Sequence, residues 1–112
     1  MATEPEGYED LSTIEQDAFA LSRAAVALDQ AKGNTNELVA ALDHNLQLWS
    51  TIRVVVSDEA NTLPVDIKDN LVKLSQYIAA KTFEYGSDIP EDVVDSLINI
   101  NLQISQGLLE GN

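Results

Sequence analysis

From Leu11 onward, apolar residues return at intervals of 3, 4, 3, 4 and 3: Leu11, Ile14, Ala18, Leu21, Ala25 and Leu28. That spacing matches one face of an α-helix and not a strand, whose faces alternate every second residue. Three further stretches keep the helical period. A second helix, from about Asn36 to Val56, carries the stripe Leu38, Leu42, Asn45, Trp49, Ile52 and Val56. A third carries Ile67, Leu71, Leu74 and Ile78, with Val72, Ala79 and Phe83 flanking. A fourth runs from about Pro90 to Leu109. Four such segments joined by short turns predict an all-α protein, a single compact bundle of about four antiparallel helices.

The ends of these segments carry their own signals. Gly33-Asn34-Thr35 stops the first helix, because glycine is the usual residue after a helix C-terminus. Asn34 followed by Glu37 has the spacing of a capping box that opens the second. Val54-Val55-Val56 reads alone as a short strand, but the stripe through Ile52 and Val56 makes it the end of a helix. Ser57 to Leu63 is a polar connection, and Pro64 takes the first position of the third helix. Gly86 ends that helix. Asp88, Pro90 and Glu91 open the fourth.

Two regions follow from this pattern: residues 1–7, an acidic tail expected to be disordered, and residues 8–112, one helical domain. A chain of 112 residues is long enough for one core and not for two.

The charge is one-sided, with 19 acidic against 6 basic residues and a formal net charge of −13. All six basic residues lie between Arg23 and Lys81. Nucleic-acid binding depends on Lys and Arg to neutralise phosphates, so direct RNA or DNA binding is not expected. The same repulsion disfavours an anionic membrane surface. No stretch approaches the ~20 apolar residues of a membrane-spanning helix. Met1 to Asp10 holds Glu4, Glu6, Glu9 and Asp10, with neither the basic start nor the apolar run of a secretory signal. The expected location is the cytoplasm.

The chemistry of catalysis finds few residues to work with, and an enzyme is not expected. There is no cysteine, which removes disulfides and thiolate ligands. No phosphate-binding loop or Gly-rich dinucleotide turn is present. No cofactor is expected. The single histidine, His44, cannot form a paired metal-ligand motif. A helical His is also what phosphorelay bundles use, and His44 is the candidate for such a role. Those domains usually place Lys and Gly soon after the histidine; here the run is His44-Asn45-Leu46-Gln47-Leu48. Asp88, Glu91, Asp92 and Asp95 are the densest carboxylates. At a helix start the macrodipole accounts for them, at roughly 0.3–1 kcal/mol each.

The fourth helix stands apart. From Ser96 to Leu109 it carries no charge, in a chain that is 22% charged. Val93, Leu97, Ile100, Ile104 and Leu108 make one apolar stripe, and Val94, Ile98, Leu102 and Leu109 a second beside it. Asn101 and Ser105 lie between them. One stripe docks the helix. The second belongs either to a centrally buried helix or to an exposed groove wall that receives a partner helix. The candidate partner-binding set is therefore Val94, Ile98, Asn101, Leu102, Ser105 and Leu109. Trp49, Asn45 and Pro64 are assigned structural roles. Asn45 lies on a core face, so it needs a hydrogen-bonding partner; Asn101 or a loop backbone would serve.

These residues also carry a resemblance. Asn45-Leu46-Gln47-Leu48-Trp49, Asn61-Thr62-Leu63-Pro64, Ile67-Lys68-Asp69-Asn70-Leu71, Leu97-Ile98-Asn99-Ile100-Asn101 and Gly107-Leu108 follow in an order and spacing that resembles the FlaF family of flagellar biosynthesis regulators. The likeness covers about Leu42 to Leu109. Leu46 and Leu102 stand where family members often carry a basic residue, so no basic contact carries over there. The resemblance implies a role in flagellin export and synthesis, with flagellin as partner and the companion regulator FlbT as a second. It leaves two readings. One is a flagellin-binding secretion chaperone or adaptor. The other is a post-transcriptional regulator of flagellin translation, acting through a protein partner or on the mRNA.

Overall fold

The computed structural model describes residues 13–110, and side-chain environments from Glu15 onward. The expected tail at residues 1–7 and the stripe residues Leu11 and Ile14 lie outside that account. The described residues form four α-helices: α1 (Thr13–Gln30), α2 (Thr35–Ser57), α3 (Val65–Tyr85) and α4 (Glu91–Glu110), with a 3-10 turn at Gly86–Asp88 before α4. No strand occurs among them.

The connections follow the local chemistry. Gly33 sits at φ 84°, in the left-handed region where a Cβ is strained. Asn34 then caps α2: its side-chain oxygen accepts the Glu37 amide at 3.0 Å, and its side-chain nitrogen donates to the Glu37 carboxylate at 3.2 Å. Between α2 and α3, the Asp58 carboxylate accepts the Ala60 amide at 2.9 Å, and the Asn61 side chain accepts the Leu63 amide at 3.0 Å. These two side-chain turns hold Leu63 against the core. Pro64 lies one residue earlier than expected. It is the cap and not the first helical residue; its carbonyl accepts the Lys68 amide at 3.0 Å. With φ near −57° and ψ near 148° it is extended, a conformation its ring allows without strain.

Helices α1 and α4 approach most closely, followed by α2 with α3 and α1 with α2. Small side chains line the buried face of α1, at Ala18, Ala24, Ala25 and Ala31, and the Ala18 carbonyl lies within hydrogen-bond reach of Ser105 on α4. Alanine here lets two backbones come together, a role beyond its helix propensity. One continuous core joins all four helices through Leu21, Leu28, Leu42, Trp49, Ile52, Leu71, Ile78 and Leu97. The short dimension of the molecule is 20 Å, about two helix diameters.

Phe83 departs from expectation. It does not flank the α3 core face; it is 75% exposed, beside Val39 and Leu46 in the groove between α2 and α3. Core packing on α3 turns on Leu71, Ser75 and Ile78 instead. Ser75 takes a buried position because its hydroxyl donates to the Val72 carbonyl at 2.7 Å, which satisfies it locally.

Candidate functional site

α4 is docked through the line between its two apolar stripes. Its buried residues are Val94, Leu97, Asn101 and Ser105. Val93, Ile100, Ile104 and Leu108 are half-buried on one side, and Ile98 is half-buried on the other. Leu102 and Leu109 are 43% and 44% exposed. The expected docking stripe of Val93, Leu97, Ile100, Ile104 and Leu108 thus gives Leu97 to the buried line, and its other members pack half-buried along the edge. The helix is rotated toward the second stripe.

The cause of that rotation is a hydrogen-bonded seam. The Trp49 indole Nε1 donates to Asn101 Oδ1 at 2.9 Å. Asn101 Nδ2 donates to Asn45 Oδ1 at 2.7 Å and to the Leu21 carbonyl at 3.2 Å. One turn along, the Ser105 hydroxyl donates to the Ala18 carbonyl at 2.7 Å. The residues paired with α1 descend along α4 as they ascend along α1, so these two helices are antiparallel. Asn101 has no exposed surface. It ties α1, α2 and α4 together at one point.

The orientation of each amide follows from its neighbours. An indole N–H only donates, so it must meet the oxygen of Asn101. That turns the Asn101 nitrogen toward Leu21 and Asn45, which then presents its own oxygen. Reversing Asn45 would set two donors face to face. Its Nδ2 is left as the one buried side-chain polar atom without a partner among the described residues.

The six candidate partner-binding residues therefore divide. Val94, Asn101 and Ser105 face the core and are not available at the surface; the two polar ones are saturated by α1 and α2. Ile98, Leu102 and Leu109 remain on an outer flank that carries no charge between Ser96 and Leu109. Helical spacing alone sets Asn101 and Ser105 between the two apolar stripes. Only their partners, up to 87 residues away in the chain, make burial favourable.

The other candidates fall as follows. His44 is exposed on α2, in a shallow groove with Arg23, Gln47 and Thr51. Of the four clustered carboxylates, Glu91 and Asp92 occupy the first turn of α4. Asp95 binds the Lys32 ammonium, which also meets Asp29 at 3.3 Å. The Asp95 hydrogen bond, with Asp29 adding to it, holds Lys32 above its ordinary value of 10.5. This pair pins the end of α1 to the start of α4, and the spacing of single charges gave no sign of it.

A cavity of about 320 Å³ lies at one end of the bundle, between α1, α2, α3, the 58–64 connection and the end of α4. Its walls are mainly apolar, from Ile52, Val55, Val56, Leu63, Leu71 and Leu108. Asp17 also lines it. Burial raises the Asp17 carboxyl above its ordinary value of 3.8, because desolvation disfavours the ionised form. A raised acid stabilises the fold at pH values below its ordinary range, and that contribution is lost as pH rises through the folded value. At neutral pH the ionised group is a cost. Asp17→Asn should therefore melt higher than the parent at pH 7, with the difference shrinking as pH falls toward about 4 and gone below it. Calorimetry across that range checks the sign; a mutant that melts lower at pH 7 contradicts it.

Among the described residues no helix is long and apolar enough to cross a membrane. What the geometry defines is an acidic helical bundle locked by a buried amide–indole seam, with an uncharged apolar flank left on its last helix. The sequence matches the family described as flagellar protein FlaF over residues 7–108, nearly its whole length. The chain belongs to that family and is a flagellar protein. No curated protein and no solved structure gives a match.

Proposed function

We propose that this protein is a non-catalytic, flagellin-binding secretion chaperone or adaptor that supports flagellin export and synthesis from the cytoplasm. The observation that carries the reading is the outer flank of α4. Leu102 and Leu109 are exposed, and Ile98 stands half-buried beside them, on a helix uncharged from Ser96 to Leu109. Burying such a flank against an amphipathic flagellin helix supplies about 25 cal/mol per Å² of apolar area, part of which is offset by association costs. The net charge of −13 keeps the complex from aggregating. The FlbT regulator is the second partner to test. Translational effects on flagellin would then run through these proteins and not through RNA contacts, given only six basic residues.

Leu102→Asp and Leu109→Asp place an unpaired carboxylate on the flank without entering the core. Each is expected to weaken flagellin binding by at least about tenfold while the melting temperature changes little. Titration calorimetry with purified flagellin reads the first effect and thermal denaturation the second. Unchanged affinity in both variants rejects the flank as the docking face. A salt-sensitive mobility shift with flagellin leader RNA, in the absence of other proteins, favours direct translational control instead.

A further inference from the structure

The cavity at the end of the bundle is separate from the outer flank of α4 and has its own chemistry. Val55, Val56, Leu63, Leu71 and Leu108 make a mainly apolar chamber with Asp17 as the one acidic residue of its lining. At about 320 Å³ it falls at the small end of ligand pockets, roomy enough for one or two side chains. No Lys, Arg or His lines it. Lys32 is engaged with Asp29 and Asp95, and Lys81 with Glu84 at 3.4 Å.

A neutral apolar occupant would desolvate Asp17 further and return nothing for its charge. An anion would meet that carboxylate and the field of a protein at −13. An aliphatic stem ending in a cation satisfies both parts: the stem fills the chamber, and the head pairs with the carboxylate at its wall. The connection that forms one wall is braced by the Asp58 and Asn61 side-chain turns, which lowers the ordering cost of an occupant.

We infer that this cavity is a docking socket for a partner peptide, receiving a basic side chain, Lys or Arg, together with an adjacent aliphatic residue. It adds an anchor of different chemistry to the purely apolar docking proposed for α4. It also stands if that reading fails, because the two sites share no exposed residue.

The test uses the full chain, labelled with nitrogen-15, and follows amide shifts on titration. The probes are hexylammonium, hexanoate and hexanol, then acetyl-Leu-Lys-Leu-amide against acetyl-Leu-Glu-Leu-amide. Hexylammonium and the lysine peptide should produce saturable shifts at Val55, Ala60, Leu63 and Leu71. Their affinity should exceed that of hexanoate and the glutamate peptide by at least about fivefold, as an ion pair at a partly buried site allows. In Asp17→Asn, hexylammonium should fall to within about twofold of hexanol, with the cavity still binding the alcohol. Val55→Trp, which fills the chamber and keeps Asp17, should abolish binding of all the probes. The inference is overturned by equal affinity for cation and anion, by shifts scattered over the acidic surface without saturation, or by an Asp17→Asn protein that keeps its preference. Contacts placing residues 1–12 inside the chamber would overturn it too, since the socket would then serve the chain itself.

Discussion

Trp49→Ala is expected to remove about 3–5 kcal/mol of folding stability. Trp49 has no exposed surface and sits at the centre of the core. Its removal leaves the largest void any single truncation can make here, and a close-packed interior closes such voids only in part. It also strands Asn101 Oδ1, which takes the indole N–H at 2.9 Å. Domains of this size are stable by only about 5–15 kcal/mol, so the variant should be marginal at growth temperature. Trp49→Phe separates the two contributions. It keeps most of the ring and loses the hydrogen bond, and should cost about 1–3 kcal/mol. Chemical denaturation followed by far-ultraviolet circular dichroism measures both. In the parent protein the single tryptophan reports on itself: its emission should be blue-shifted when native and move to the red on unfolding. A native emission maximum typical of indole in water, or a Trp49→Ala cost below that of Trp49→Phe, contradicts this account.

Asn101→Leu should be nearly as damaging, although it puts a larger apolar group into the core. Two buried groups lose their partner, the Trp49 indole N–H and the Asn45 oxygen. Each stranded group costs about 1–3 kcal/mol. The Leu21 carbonyl is less affected, since it keeps its place within α1. The diagnostic result is non-additivity. Adding Asn45→Leu and Trp49→Phe to Asn101→Leu removes the stranded groups themselves, so the triple variant should be more stable than Asn101→Leu alone. Purely apolar replacements of satisfied polar clusters are often close to neutral, whereas half-removed clusters are not. A triple variant whose cost equals the sum of its parts would show that the three side chains act independently. Asn45 Nδ2, already without a partner, makes Asn45→Leu the mildest single change of the three.

The seam also accounts for the limits of pattern reading along this chain. The α2 stripe was legible because Leu42, Asn45, Trp49, Ile52 and Val56 recur at helical spacing, and all five are buried. The requirement that Asn45 find a partner is legible from its core position, and the partner is Asn101. On α4 periodicity separates two apolar stripes with Asn101 and Ser105 between them. The buried line runs between the stripes through Val94, Leu97, Asn101 and Ser105, because a hydroxyl or amide with a carbonyl in reach is no longer costly to bury. Phe83 failed for the opposite reason. A large apolar side chain gains from burial only if a neighbour covers it, and the groove between α2 and α3 leaves its ring open.

Local chemistry by itself determined the helices and their ends. Periodicity, the glycine at positive φ and the Asn34 cap act over a few residues, and no distant contact is needed to read them. It also determined the charge, and with it the class of partner that is disfavoured. What the tertiary structure alone decided is which face of each helix turns inward, how the polar core residues pair, and where space remains. Asn101 reaches Trp49 across 52 residues, Lys32 reaches Asp95 across 63, and Ser105 reaches Ala18 across 87. The cavity beside Asp17 depends on all four helices meeting at one end. Such features depend on the relative placement of segments far apart in the chain, and no local window contains them.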